Sequence, residues 1–327
     1  MNQTPTRISQ DTKHAVEILK RGGLVALPTE TVYGLAADAS SADAVKKIFE
    51  AKGRPSDHPL IVHIAQAEAM EQWAKNIPDA AYKLAEAFWP GALTLILEKH
   101  SHVPKEVTGG LDTVALRVPN HPLTLQILEA FGGGVAAPSA NRYGKVSPTS
   151  AQDVYEELDE RVDLIIDGGR CEVGIESTIV DMCDGAAKVL RPGAITQEQI
   201  NAVLGKSETK RDSAKLTPLK RHSGDKPSHY APNAKVILCA DENFEELLEE
   251  CQDRSSHIGI LTPKIPKNAD TNLTWLELGE DMHTQAQRLY WALREADRLG
   301  LEVVLAFMPK DAGIGRALRD RLKRAAK

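Results

Sequence analysis

Apolar and polar residues follow two different spacings in the first two hundred positions of the chain. Where apolar residues recur every three or four positions, we predict helices; these segments are 11–22, 41–53, 122–134 and 150–162. Short apolar runs predict buried strands; they are 24–28, 59–65, 91–99, 113–119, 134–141, 163–169, 177–182 and 188–193. Because several strands follow one another without a helix between them, we predict a mixed rather than a purely parallel sheet. This pattern defines one α/β domain over residues 10–197.

A second, smaller α/β domain is predicted over residues 235–327. Its strands are expected at 234–240, 257–263, 273–278 and 301–309, and its helices at 243–253, 283–300 and 313–327. Between the two domains, residues 198–234 are polar, and seven Lys or Arg residues face three acids between Lys206 and Lys226. The stretch is either a solvated linker or a lid, because a run of basic residues is compatible with both and does not distinguish between them.

The composition is that of a globular chain without a large net charge. Hydrophobic residues make up 42% and charged residues 26% of the 327 positions, which excludes a disordered chain. The net charge of −6 argues against a surface that binds nucleic acid throughout, but leaves room for a local basic pocket. The four scattered cysteines form no Cys-x-x-Cys pair, which argues against a zinc site and indicates a reducing, cytoplasmic compartment. Neither a signal peptide nor a membrane-spanning apolar run is expected.

The loop KGRPSDHPL carries the clearest candidate chemistry. Lys52, Arg54 and His58 crowd into seven residues, and two prolines stiffen the loop around them. Arginine suits bidentate recognition of phosphate oxygens, and lysine supplies a point charge. A phosphate site is the favoured interpretation, and a solvated basic loop is the alternative.

Hydroxyl and amide side chains, and two further arginines, stand next to other predicted strands. The polar residues are Ser139, Asn141, Ser147 and Ser177. Arg191 ends one strand, and Thr113 and Arg117 share a face of another because they are four positions apart. An arginine buried in such an apolar strand needs an anion, which is either a ligand or an internal Asp or Glu.

No serine or cysteine stands in a recognisable nucleophile motif, and no group of acids has the spacing of a metal cage. The candidate residues are therefore cations and hydroxyls with few bases among them. This profile favours positioning and charge stabilisation of phosphoryl chemistry over acid–base hydrolysis.

The segments PTETVYGL, KGRPSDHPL, VALRVP, PSANRYGKVSPT, GIESTIVD and LRPGAIT, in this order, resemble the YrdC-like family. The stretch SHYAPNA and the domain that ends in GIGRALRDRLKRAAK resemble the long, two-domain form of that family. Each motif is weak alone, but their joint order and spacing are specific.

The resemblance implies a twisted mixed sheet around a concave cavity, and a nucleotidyltransferase that joins L-threonine, bicarbonate and ATP into threonylcarbamoyl-adenylate. Mg²⁺ would come with ATP, without a tightly bound organic cofactor, and a partner complex would pass the threonylcarbamoyl group on to tRNA. For threonine the family implies Thr31, His63, Arg117, Ala137 and Ser177. For ATP it implies Lys52, Arg54, His58, Thr113, Ser139, Asn141, Ser147, Arg191 and Tyr230, with Lys52 and Arg54 as the catalytic pair.

Tyr230 is expected to fold over the site as part of a lid, because an aromatic ring in a polar linker has little core to join. Two other functions stay open. A module that binds double-stranded RNA would show steeply salt-dependent affinity and no ATP turnover. A carbamoyl transferase would normally carry cysteine pairs in additional zinc-finger modules, and the chain has none.

Overall fold

Two units make up the chain in the computed structural model, which describes residues 6–184, 186–205, 230–255 and 257–326. Of these, the first unit contains 6–143, 148–172 and 176–205. The second contains 144–147, 173–175 and the residues from 230 onward. None of the described helices is long and apolar enough to cross a membrane.

The described part of the first unit forms one sheet of eleven strands. They are β1 (Arg7–Ser9), β2 (Val25–Leu27), β3 (Gly34–Asp38), β4 (Ile61–His63), β5 (Ala74–Lys75), β6 (Leu93–Lys99), β7 (Thr113–Arg117), β8 (Val135–Ala136), β9 (Leu164–Ile166), β10 (Thr178–Asp181) and β11 (Lys188–Arg191). Their spatial order is β1-β9-β2-β3-β8-β4-β7-β6-β10-β11, with β5 paired to β6. β4 runs parallel to β7 and β6 runs antiparallel to it, so the predicted mixed sheet is confirmed.

Helices pack on both faces of this sheet. They are α1 (Thr12–Lys20), α2 (Ala42–Lys52), α3 (Met70–Trp73), α4 (Asp79–Phe88), α5 (Lys105–Thr108), α6 (Pro122–Phe131), α7 (Ala151–Leu158) and α8 (Gln197–Leu204). In β9, Leu164 and Ile166 join the apolar cluster that contains α1 and α6, whereas Ile165 joins the larger cluster on the other face. Side chains alternate between faces along a strand, so short, fully apolar strands supply both cores.

The helix ends follow the sequence signals. Asp11 and Ser41 cap α1 and α2 by accepting hydrogen bonds from the amides of His14 and Ala44. At the other end of α2, Gly53 takes a left-handed conformation with φ of 61°, which glycine adopts without steric cost. This turn directs the chain from α2 into the basic loop.

The predicted helices and strands of the first unit are present, and several elements are additional. β3, for example, directly follows the polar turn 28–33. α8 begins at Gln197, the last residue of the predicted domain, and its Ile200 and Leu204 are buried in the core of the first unit. The first unit therefore includes 198–204, a part of the predicted linker.

The second unit is a smaller α/β structure, as predicted. Its strands are β12 (Lys235–Cys239), β13 (Ile258–Thr262), β14 (Thr274–Glu277) and β15 (Val303–Phe307), and its helices are α9 (Phe244–Gln252), α10 (Met282–Arg298) and α11 (Gly315–Ala325). The strands are parallel in the order β12-β15-β13-β14.

Candidate active site

The parallel pair β4 and β7 arranges the predicted site residues of the first unit. His63 lies opposite Arg117, and Ile61 lies opposite Ala115. Continuing this register brings Pro59, in the basic loop, level with Thr113. The four residue steps from Thr113 to Arg117 cover about 13 Å. The basic loop and Thr113 therefore lie at one end of this strand pair, and His63 and Arg117 lie at the other.

Arg117 is held at the carboxyl end of β7 by three groups. Its side chain is 4% exposed, and its Nη2 lies 2.7 Å from Oε1 of Glu30, which is 6% exposed. Its Nη1 donates to Oγ1 of Thr31 at 2.8 Å, and its Nε donates to the carbonyl of Gly91 at 3.1 Å. The sequence allowed either a ligand or an internal acid as the anion beside Arg117, and the structure shows an internal acid, Glu30.

Glu30 was not among the residues selected from the sequence, although it stands in the quoted motif PTETVYG. Its Oε2 accepts a hydrogen bond from the amide of Asn120 at 3.1 Å. Both carboxylate oxygens are thus engaged, which fixes the guanidinium of Arg117. The available sequence signal was an acid between two threonines, Thr29 and Thr31.

His63 lies beside Arg117 and is 4% exposed. Burial, with a further contribution from the positive charge of Arg117, holds the pKa of His63 well below 6.5, so the ring is neutral at pH 7. Its Nδ1 is buried and has no hydrogen-bond partner among the described residues. A neutral imidazole with a buried nitrogen of this kind can donate to, or accept from, a bound molecule.

Ser177 and Arg191 are in direct contact near the same end. Arg191 donates from Nη2 to the carbonyl of Ser177 at 2.8 Å and to its Oγ at 3.2 Å. Oγ of Ser177 is also hydrogen-bonded to Oγ1 of Thr94 at 2.8 Å. Because Leu95 pairs with Leu116, the antiparallel register brings Thr94 level with Arg117.

Ala137 follows β8, and its amide donates to the carbonyl of Ile61 at 2.9 Å. Its carbonyl lies close to Gly34, where a Cβ atom would approach it to 3.6 Å. Its backbone therefore belongs to the same strand neighbourhood as His63.

Lys52, at the end of α2, ties this helix to the segment after β8. Its Nζ donates to the carbonyls of Ser139 and Asn141. Burial, and then the charge of Arg54, holds the pKa of Lys52 well below its ordinary value. The lysine thus orders the loop that carries two of the predicted ATP ligands.

Arg54 and His58 lie in the loop between α2 and β4. Nη2 of Arg54 donates to the carbonyl of Pro59 at 3.2 Å, and the His58 ring is 5.8 Å from the Tyr143 ring. Lys52, Arg54 and His58 are only 2%, 7% and 8% exposed. A solvated basic loop is therefore wrong, because such a loop would expose these side chains.

Ser147 and Tyr230 belong to the second unit. Ser147 is fully buried, and its carbonyl accepts a hydrogen bond from Nε of Arg294 at 3.5 Å. The Tyr230 ring is 1% exposed, stacks 5.7 Å from the Tyr290 ring, and lies 5.3 Å from the guanidinium of Arg321. The expectation that Tyr230 has little core to join is therefore wrong. Within the predicted linker or lid, 198–234, the segment 206–229 lies outside the described residues.

The first unit thus gathers buried cations, hydroxyl groups and one neutral histidine. This arrangement can hold an anionic ligand by charge-assisted hydrogen bonds in a poorly solvated place. Within the described ranges, no three His, Cys, Asp or Glu side chains are grouped so that they could hold a metal ion.

Both parts of the chain match known protein families. Residues 17–193 match the family of Sua5, YciO and YrdC, described as "Telomere recombination". Residues 195–327 match the family described as "Threonylcarbamoyl-AMP synthase, C-terminal domain".

Individual relatives extend over nearly the whole chain. The threonylcarbamoyl-AMP synthase of Pyrococcus abyssi is 42% identical, over 95% of this chain and 93% of the relative. The threonylcarbamoyl-AMP synthase of Bacillus subtilis is also 42% identical, over 95% of this chain and 92% of the relative. The crystal structure of P. abyssi Sua5 complexed with L-threonine has a TM-score of 0.90 and 40% identity, and it covers 98% of both chains.

Proposed function

The chain belongs to the Sua5/YrdC family of threonylcarbamoyl-AMP synthases, and on this premise we propose how its own residues bind the substrates and promote the reaction. The activity is the formation of L-threonylcarbamoyladenylate, with ATP as the nucleotide substrate. We assign bicarbonate as the source of the carbamoyl carbon and pyrophosphate as the leaving group.

Threonine binds at the end of β4 and β7 where His63 and Arg117 lie. Beyond its contacts with Gly91, Thr31 and Glu30, Arg117 retains guanidinium N–H groups that suit a carboxylate. The Nδ1 of His63, which has no hydrogen-bond partner in the described part of the chain, and the hydroxyls of Thr31 and Ser177 suit the polar groups of an amino acid. The backbone at Ala137 completes this set.

ATP binds through the basic loop and the polar segment after β8. Arg54 and Arg191 supply positive charge to the phosphates, and Lys52 keeps Ser139 and Asn141 in place through their carbonyls. We also assign His58 and Thr113 of the first unit to ATP.

One contact carries the proposal. Arg191, which we assign to ATP, donates to Oγ of Ser177, which we assign to threonine, at 3.2 Å. Two substrates bound to these neighbouring groups would meet, and the positioning of reactants is one of the two main contributions expected for phosphoryl transfer, beside electrostatic stabilisation.

The chemistry follows from this placement. The threonine amine attacks the bicarbonate carbon, water leaves, and a carbamate forms. A carbamate oxygen then attacks the α-phosphorus of ATP, and pyrophosphate departs with the electron pair of the broken P–O bond. Arg54 and Arg191 stabilise the charge that develops on the phosphates. Mg²⁺, held by the phosphates and water, would neutralise the leaving pyrophosphate.

We place the product before a transfer to tRNA, with transient contact to the transferase complex that consumes it. We place the reaction in the cytoplasm because none of the four cysteines, all of which lie in the described ranges, forms a disulfide bond, as is usual in reducing compartments.

The test is the release of pyrophosphate from ATP when each small substrate is omitted in turn. We expect release to need threonine and bicarbonate together, and to fall strongly with alanine, because a site that binds a hydroxyl is left with unpaired groups when the hydroxyl is missing. Full-rate release without threonine would contradict the proposal.

A further inference from the structure

The second unit contains a cavity of about 1090 Å³ at the carboxyl ends of its parallel strands. Ala240, Thr262 and Phe307, which end or follow β12, β13 and β15, line it. β13 and β15 are neighbours in the middle of this sheet. After β13 the chain continues to β14 at one edge of the sheet, whereas after β15 it continues to α11, which packs on β12 at the opposite edge. In open parallel sheets, ligands bind where neighbouring connections diverge in this way.

The lining of this cavity, which we call the acidic groove, carries six carboxylates and two lysines. One lysine, Lys264, is already paired with Glu280 at 2.6 Å. Five carboxylates then face the single ammonium group of Lys310, and none of the five has an ion pair within the described ranges. They are Asp241, Glu242, Glu245, Glu249 and Asp270.

Among the described residues, no three His, Cys, Asp or Glu side chains lie close enough together to hold a metal ion. The acids of the acidic groove are therefore spread along it rather than gathered at one point. Glu242, Glu245 and Glu249 are three and four positions apart next to and within α9. Residues at that spacing on a helix are roughly 5–6 Å apart. The groove therefore suits a ligand with several positive charges at similar intervals.

A buried acceptor in the lining indicates the same chemistry. Gln285 is 1% exposed, and its side-chain nitrogen donates to the carbonyl of Gly279 at 3.0 Å. Its Oε1 accepts no hydrogen bond from any residue that the structure describes. The oxygen is left for an N–H donor from outside the protein.

Apolar side chains complete the lining. Phe244 and Phe307 pack with ring centroids 5.1 Å apart, and Trp275 lies partly buried in the same cluster. Aromatic rings contact alkyl chains and also attract ammonium groups.

We propose that the acidic groove binds an aliphatic polyamine. The three- and four-carbon spacers of such a molecule set its nitrogens apart by about one helical turn, to match the carboxylates along α9. The nitrogens donate to carboxylates and to Oε1 of Gln285, and the methylene groups lie against the aromatic rings. This site belongs to the second unit alone.

Calorimetric titration of the full chain with spermidine, at fixed ionic strength, tests the proposal. We expect a single site whose affinity falls roughly tenfold or more in the double variant Glu245→Gln/Glu249→Gln, because charge-assisted hydrogen bonds are lost. Glu246→Gln is the matched control, because Glu246 is an exposed residue of α9 outside the lining. It should leave the affinity unchanged. Circular dichroism checks that each variant is folded.

Glu242→Gln, which lies outside α9, provides a second variant and should weaken binding as well. Equal affinity of all variants would overturn the proposal, since binding would then be nonspecific attraction to the net charge. Displacement of spermidine by Mg²⁺ at equal charge, or binding of a lysine-rich peptide but not of spermidine, would overturn it too. The last result would make the groove a protein-docking surface.

Discussion

Replacing Glu30 by Gln removes one charge from a buried ion pair and should affect both stability and threonine binding. The two partners are 2.7 Å apart, and their side chains are only 4% and 6% exposed. Removing one member of such a pair leaves an uncompensated buried charge, which costs about 3–5 kcal/mol. The carboxamide retains one oxygen for the amide of Asn120, so the loss should lie toward the lower end of that range.

In the proposed site, Glu30 also holds Arg117 in place for the threonine carboxylate, so we expect the KM for threonine to rise much more than the KM for ATP. Urea unfolding of the full chain and steady-state pyrophosphate release measure the two effects. Asp43→Asn is the matched control, because Asp43 pairs with Lys46 at 2.9 Å but is 89% exposed; solvent screens such a pair, and little should change. If Glu30→Gln is as stable as this control and keeps its threonine KM, Glu30 does not position Arg117.

Three further outcomes follow from the same geometry. Arg54→Gln should weaken ATP binding and Arg117→Gln threonine binding, each by about 2–5 kcal/mol in calorimetry; equal loss of both ligands in both variants would indicate misfolding instead. Folding lowers the pKa of His63, so at low pH the unfolded chain binds a proton at this ring that the folded chain does not. The neutral ring therefore contributes fully to the free energy of unfolding above pH 6.5. This contribution declines as the pH falls below that value. Unfolding of wild type and His63→Gln between pH 5 and 8 should show a shallower pH dependence in the variant, and identical slopes would be inconsistent with a neutral, buried ring. Tyr230→Ala should cost about 3–5 kcal/mol of stability, whereas Tyr82→Ala, at a 38% exposed position, should be tolerated; an unchanged unfolding curve for Tyr230→Ala would mean that its ring is not part of a core.

The sequence was sufficient for elements with strong periodicity and for the general character of the site. Strands such as β9 are apolar at every position, so their burial on both faces follows from the residues alone. The basic loop was also recognisable, because Lys52, Arg54 and His58 are close in sequence and framed by prolines.

Contacts between distant segments were beyond this kind of inference. Glu30 and Arg117 are far apart in the chain, and they meet only because the turn after β2 lies over the end of β7. Periodicity places a residue on a strand but does not say which strands are neighbours. For the same reason, the residues 144–147 and 173–175, which belong to the second unit, could not be separated from the first by a linear division of the chain.

Tyr230 illustrates a further limit. Its polar neighbours in sequence indicated a ring without a core, but its partners, Tyr290 and Arg321, lie in α10 and α11. Local composition describes the segment, whereas the packing of one side chain depends on elements that come much later in the chain.

The central claim is that threonine, a bicarbonate carbon and the adenylyl group of ATP are joined in one molecule at the meeting point of Ser177 and Arg191. Mass spectrometry of the nucleotide product, formed from isotopically labelled threonine and bicarbonate, tests this most directly. We expect one labelled threonine and one labelled carbon for each AMP, formed in equal amount with pyrophosphate. An AMP product that carries threonine without the bicarbonate carbon would contradict the account, because the attacking group would then be the threonine carboxylate rather than its carbamate.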